Sequence, residues 1–371
     1  MIALLGLWSV ACGDDPASCN GCADTGDASA EGDAMEGGTF SKALEVASVE
    51  DWGVVPFPSD KVVGRDGGYA GLLGGKLLWL FGDTFLTKEN PVDDTFVLSA
   101  TSGWSTLADP TTLVEPVDED GFPAQTIPYT AGELDKNKTD ALNGWSLWPG
   151  TMIDTGDPEG LVFFQRIKRT EGMGFDSMGV GTARIALDAT TATRNSGDLF
   201  APPERLYMPT SVVEGFAYGF ACESVGFLDT ECRMTRVLPA DADTRSAYQF
   251  FDGAEWQADA DKAAVVVGGI GGQPSLSYNP HLGRYLAVAS SILSSKVVLM
   301  TSERIEGPWE ERVKFEPDGV GYLDAVDDAY NYIVIEHPEL RSTDGKTIVI
   351  SYSRPTAPFQ GEIRLMRVTL K

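Results

Sequence analysis

The chain is poor in positive charge. Of its 371 residues, 28 are Lys or Arg against 55 Asp or Glu, a formal net charge of −27 and a pI near 4.3. Such a surface repels phosphate backbones and anionic headgroups, which argues against nucleic acid as a partner and against direct docking on a membrane surface. Histidine is nearly absent, and His281 and His337 alone cannot make a His-rich metal site. No apolar run reaches the roughly 18–20 residues that a membrane-spanning helix needs. Gly-x-Ser-x-Gly, phosphate-loop, His-Glu-x-x-His and dinucleotide signatures are all missing, so the chemistries they carry lack support. Neither a cofactor nor a metal is expected. Helical periodicity is scarce too, with only "TFSKALEVASVE" offering a helical turn or two.

The first twelve residues, "MIALLGLWSVAC", are apolar and end in Ser-Val-Ala-Cys. They resemble a bacterial lipoprotein signal peptide, which implies lipid attachment at Cys12. Ser9 stands where leucine is usual, and no basic segment precedes the apolar run. Residues 13–40 hold acids, Gly, Ala and Ser with no basic residue until Lys42, too little apolar surface to fold, and read as a flexible acidic tether. Setting Cys12 aside leaves four cysteines, an even number suited to an oxidising compartment. Cys222 and Cys232 flank a turn-like "ESVGFLDTE" and would staple a hairpin. Cys19 and Cys22 lie in the tether, where a local disulfide is expected rather than redox or zinc chemistry.

From Thr39 onward the readable segments are strands. Short apolar runs such as "LLWLFG", "GLVFFQRI", "RYLAVASS" and "TIVISYS" are bounded by Gly, Pro, Asn or Asp. Several are apolar on both faces and need cover on both sides. A unit of strand, turn, strongly apolar strand and more polar strand begins near Gly64, Gly144, Val213, Gly272 and Ile335. Five such units over residues 41–371 predict an all-β, five-bladed β-propeller, in which each blade is covered by its two neighbours. A pair of β-sandwiches is the alternative.

The stretch "GRDGGYAGLLGGKLLWLFGDTF", Gly64 to Phe85, reads as a hairpin turning at Gly74-Gly75. Counting outward from Leu73 opposite Lys76 places Asp66 directly opposite Asp83, where like charges repel. Three arrangements offset that cost: one carboxyl keeps its proton, a cation binds, or each side chain caps its own turn. The first is the pattern that glycoside hydrolysis requires.

That stretch, with "SLSYNPHLGRYLAVASS", "TSERIEGPW" and "HPELRSTDGKTIVISYS", resembles a bacterial five-bladed propeller family. The family was long known only as a domain of unknown function and includes endo-D-arabinanases. More distantly the chain is similar to arabinanase and arabinofuranosidase propellers. The resemblance implies that Asp66 and Asp83 belong to an active site. Glu336 and Glu339 in "IEHPEL" are candidates for a further catalytic carboxylate across the sugar, with Glu214 as competitor. Arg65, Tyr69, Trp148, Glu214 and His337 are candidates for substrate binding, and Trp145 and Tyr218 offer further rings near the blade openings.

Two functions follow. The first is a lipid-anchored, monomeric glycoside hydrolase at the outer membrane or cell surface of a bacterium, cutting a furanose-rich polysaccharide such as D-arabinan or arabinogalactan. The second is a non-catalytic glycan-binding or scaffold propeller. The anchoring expectation is checked by mass spectrometry of the mature N-terminus. Acylation at Cys12 is the expected result, and an unmodified Met1 or a cut elsewhere refutes it.

Overall fold

The computed structural model describes residues 43–371 apart from 171–173, 227–228, 310 and 317–329. Cys12, Cys19, Cys22, the apolar leader and the acidic tether lie outside the described residues. Five antiparallel sheets follow one another along the chain as a five-bladed β-propeller. After β1 (Val46–Val55), blade one contains β2 (Val62–Leu73), β3 (Lys76–Leu86) and β4 (Val97–Thr106). Helix α1 (Ala131–Thr139) leads to blade two: β5 (Trp145–Asp154), β6 (Glu159–Arg169), β7 (Phe175–Ala186) and β8 (Thr193–Arg194). Blade three holds β9 (Met208–Val213), β10 (Phe216–Gly226), β11 (Asp229–Val237), β12 (Gln249–Phe251), β13 (Trp256–Gln257) and β14 (Val265–Gly268). In blade four are β15 (Ser275–Asn279), β16 (Arg284–Ser290), β17 (Val297–Ser302) and β18 (Glu311–Phe315). Blade five joins β19 (Tyr332–Glu336), β20 (Thr347–Ala357) and β21 (Gln360–Leu370) to β1 at its outer edge, so the N-terminal strand closes the ring.

The expected core is present. Each pair of neighbouring blades encloses its own apolar cluster, such as Leu80, Leu147 and Phe164 between blades one and two. Leu286, Leu299 and Met366 do the same between blades four and five, and Trp79, Val349 and Leu365 close the ring between five and one. The five innermost strands are β2, β5, β9, β15 and β19. They do not share backbone ladders with one another; Ser and Thr hydroxyls, two of them from β4 and β20 behind the innermost strands, tie neighbouring blades together instead. Ser99 Oγ accepts from Leu147 N–H at 3.0 Å, Thr151 donates to Thr210 O at 3.2 Å, and Thr210 donates to Pro274 O at 2.9 Å. Ser275 Oγ accepts from Glu336 N–H at 2.9 Å, and Ser353 Oγ from Gly67 N–H at 3.1 Å. Each buried polar backbone group so engaged is satisfied without a ladder.

Three expectations are corrected. Innermost strands of blades three and five begin at Met208 and Tyr332, not at Val213 and Ile335, because Val213 ends β9 before its turn and Ile335 lies near the end of β19. The segment read as a helical turn contributes Val46–Glu50 to β1, where tertiary pairing with β21 outweighs local periodicity. The helix that does form, α1, carries a capping box in which Thr130 and Glu133 each receive the other's backbone N–H. The predicted hairpin disulfide joins Cys222 and Cys232, which are cross-strand partners of β10 and β11. Trp309, expected to be structural, is buried between blades three and four.

Deleting residues 43–55 would leave β21 as a bare edge at the ring's closure. A fall in Tm of more than about 5 °C, with self-association on size-exclusion chromatography, is expected. An unchanged melting curve would show that the closure adds nothing.

Candidate active site

The hairpin of blade one turns at Gly74-Gly75 as expected, and Leu73 through Tyr69 pair with Lys76 through Leu80 in simple register. The ladder then slips. Gly67 faces Phe81, so Gly68 is an extra residue on β2, and Arg65 faces Thr84, so β3 carries the next extra residue. These opposed bulges cancel, and register is regained at Arg65. Gly67 and Gly68 have φ of +96° and +85°, which glycine adopts without strain. Asp66 and Asp83 are therefore not the direct ladder partners that simple counting gives. Instead the kink folds the Asp66 carboxylate onto β3, where Oδ1 accepts the Asp83 N–H at 2.9 Å. A Cβ on Gly82 would stand 2.4 Å from that same Oδ1, so this contact needs glycine there. The Arg-Asp-Gly-Gly and Phe-Gly-Asp-Thr segments are one device for presenting Asp66.

Other blades complete the surroundings. Tyr332, the first residue of β19, donates its hydroxyl to Asp66 Oδ2 at 2.9 Å. Burial, and next the charge of Asp83, push the Asp66 carboxyl up to about 7; hydrogen bonds from Asp83 N–H and Tyr332 oppose the rise. Asp83 sits in different company. Its Oδ1 faces Arg169 Nη2 at 3.4 Å, Trp148 Nε1 at 3.2 Å and Ser146 Oγ at 3.5 Å, all from blade two. Trp148 is held edge-on by Phe175 with centroids 4.8 Å apart. Tyr69 is half-buried nearby, its phenol pushed up to about 12 by burial and by Asp66. Blades one, two and five thus give two adjacent carboxyls with unlike partners, one beside a guanidinium and one beside a phenol.

The remaining candidates are not brought to this pair. Arg65 is fully buried in an ion pair with Glu115, its guanidinium 4.3 Å from the centroid of Phe81, so it packs blade one and offers no surface to a ligand. Glu336 pairs with Ile350 while Tyr332 pairs with Ser353, three residues apart on β20, or roughly 10 Å along the strand. Glu336 is 2% exposed in the seam with blade four, where Ser277 donates to its Oε2 at 2.7 Å. Burial pushes its carboxyl up to about 7 as well. His337 is also buried, against Trp79 at 5.0 Å and Ser351 at 2.8 Å. Glu339 faces His337 at 3.3 Å from the 3₁₀ turn that leaves β19. Glu214 lies in the turn between β9 and β10, at the opposite end of the innermost strands from Tyr332. The expectation that Glu336, Glu339 or Glu214 faces the pair across a sugar is therefore corrected, because each sits beyond the strand it was expected to open or inside a seam. Among the described residues, no group of three or more His, Cys, Asp or Glu is placed to hold a metal ion.

Sequence reasoning missed Tyr332, Arg169 and Ser146. Tyr332 directly precedes the apolar run "IVIE", and placing the blade opening three residues earlier would have exposed it. Arg169 lies 86 residues from Asp83, and no local pattern links them.

The family model described as "Domain of unknown function (DUF4185)" matches residues 206–356, spanning blades three and four and the two inner strands of blade five but less than half of the chain. No curated protein matches. Among solved structures, the chain is similar to Zg3597, a family 117 glycoside hydrolase from the marine bacterium Zobellia galactanivorans. The TM-score is 0.54 at 10% identity, over 87% of this chain and 90% of that one. An exo-beta-1,3-galactanase from Phanerochaete chrysosporium aligns with TM-score 0.48 and 13% identity, over 87% of this chain and 64% of that one. A GH43_1 enzyme from Xanthomonas citri gives 0.47 and 13%, over 86% and 93%. At such identities the likeness is one of fold.

The raised carboxyls make stability depend on pH. A carboxyl whose folded value lies above its unfolded one contributes stability that is complete below the unfolded value, near pH 4, and lost as pH rises through about 7. Tm is therefore expected to fall between pH 4 and 8. Asp66→Asn and Glu336→Gln should each flatten that fall, raising Tm at pH 8 relative to the parent. Parallel curves for parent and variants would refute the assignment.

Proposed function

We propose that the protein is a glycoside hydrolase acting on a furanose-rich polysaccharide, with D-arabinan or arabinogalactan as substrate. The observation that carries this reading is the Asp66–Asp83 pair, whose two carboxyls have unlike surroundings at the openings of the innermost strands. Glycan binding alone does not require two carboxylates forced together by paired bulges. Hydrolysis does require two carboxyls whose proton affinities differ. Asp66 exchanges the proton: near neutral pH it is divided between both forms, which suits a general acid–base group. Asp83, fixed by Trp148 and Arg169, presents a carboxylate toward positive charge developing at the anomeric carbon. Tyr332 and the Asp83 N–H hold both oxygens of Asp66 in place, and the half-buried Trp148 ring lies beside them for a sugar face. The choice of arabinan rests on the resemblance of "GRDGGYAGLLGGKLLWLFGDTF" and the blade-four and blade-five segments. The fold shared with the family 117 hydrolase supports a glycan-active propeller. A lipid at Cys12 and the 13–40 tether would hold a monomer at the bacterial surface, within reach of a polymeric substrate.

Incubation with arabinan, arabinogalactan and xylan should release sugars from the first two. Asp66→Asn and Asp83→Asn should keep the fold and lose at least about 100-fold in activity. Retained binding of arabinan without release would favour the non-catalytic scaffold. In Tyr332→Phe, loss of a hydrogen bond that favours the charged Asp66 should move the corresponding limb of the pH–rate profile upward from about 7. A limb that stays in place removes Asp66 from proton transfer.

A further inference from the structure

The innermost strands all begin at the end of the ring where Tyr332, Trp148 and Asp66 gather. They finish at the other end, in the turns at Gly74-Gly75, Glu214-Gly215 and Pro280–Gly283. At that far end lie two adjoining cavities of about 340 and 320 Å³ that share Glu214, the first lined by blades three, four and five and the second by blades three and four. Glu214, Glu303 and Glu306 are matched by Arg236, Arg304 and Arg341, so the groove is charge-balanced in a protein of net charge −27.

Aromatic rings run through it. Tyr278, 41% exposed, packs edge-on against its cross-strand partner Tyr285 with centroids 5.5 Å apart. The Tyr285 hydroxyl donates to Glu214 Oε1 at 2.8 Å, which fixes that carboxylate at the groove. Arg341 donates through Nη1 to Tyr278 O at 2.8 Å, which orients the rest of its donor fork. Arg236 is stacked between Phe216 and Trp256 at 4.6 and 4.4 Å. Glu214 keeps φ of +50° in this turn, a conformation that Asn, Asp or Gly adopts more readily.

We propose that this groove is a second, non-catalytic binding site for a neutral oligosaccharide. Tyrosine rings take the C–H face of a sugar, and a vicinal diol donates to a fixed carboxylate and accepts from a fixed guanidinium. Balanced charge disfavours a polyanion or polycation relative to a neutral polyol. Here the groove would hold a distal segment of the polymer whose other part reaches Asp66 and Asp83, an identity that rests on the glycan reading above; the groove itself does not.

The test is affinity electrophoresis of the full chain carrying Asp66→Asn, run through gels with arabinan, arabinogalactan or dextran. Retardation by arabinan or arabinogalactan is expected, and adding Tyr278→Ala should weaken it about five- to tenfold, the effect of one lost stacking contact. Glu214→Gln should weaken it as well, whereas Tyr278→Phe, which keeps the ring, should largely restore it. Melting curves establish that each variant is folded. If groove variants weaken binding of a polymer that the parent protein does not cut, this inference stands and the hydrolase reading falls. If the parent cuts the polymer but folded groove variants bind it unchanged, this inference falls alone. Absence of retardation in every gel also overturns it.

Discussion

The whole molecule depends on closing a ring of five sheets whose innermost strands do not pair with one another. A sheet apolar on both faces is stable only if both faces are covered, and in a ring each blade is covered by the next. Sequence supplies this as five separate apolar clusters, one per seam, rather than as one central core. Around the axis neighbouring blades are joined by Ser and Thr hydroxyls, which engage backbone groups that would otherwise face the next blade unpaired. Closure by β1 against β21 then brings Tyr332 to Asp66 across 266 residues of chain. Without that closure the site loses its blade-five partner.

Within the ring, the site is made by a local departure from regular structure. A regular hairpin would set Asp66 and Asp83 face to face at like charge. Two compensating bulges turn that repulsive pair into an asymmetric one, in which one backbone N–H serves the neighbouring carboxylate. Glycine at 67, 68 and 82 makes this geometry available, two through positive φ and one by leaving room for Asp66 Oδ1. The bulges locally disrupt the ladder, a loss that the flanking regular pairs absorb. A bulge re-aims a side chain in this way.

The fold was legible because blade strands carry a strong signal: short, doubly apolar runs punctuated by Gly and Pro, five times over. The Asp66–Asp83 proximity was legible because a Gly-Gly turn sets register, and the two bulges restore the same count at Arg65 and Thr84. What misled was the phase of blades three and five. "VVEGFAYG" and "IEHPEL" look like blade openings, yet the first spans the end of β9, its turn and the start of β10, and the second runs from the end of β19 into the turn after it. Glu214, Glu336 and Glu339 were therefore expected at the wrong end of the ring or in the open channel. Arg65 misled differently: beside a catalytic candidate in sequence, its side chain is buried against Phe81 and Glu115 instead. Arg169 was invisible because its role arises only when blades one and two pack.

Asp66 and Glu336 show why a raised carboxyl is not in itself a catalytic signature. Burial is the largest cause at both, and both are pushed to about 7. Their next causes differ. Asp66 feels the charge of the neighbouring Asp83, whereas Glu336 is steadied by Ser277 and by the more distant Arg341. Access differs as well: Glu336 is shut into a seam at 2% exposure, while Asp66 is only half-buried where three blades converge. A carboxyl shut in a seam can only make the fold sensitive to pH, since no substrate oxygen approaches it. A carboxyl that is partly open, held at both oxygens and set beside a second carboxylate can pass a proton to a bound ligand. Neighbours and access, rather than a raised carboxyl alone, are what set Asp66 apart from Glu336.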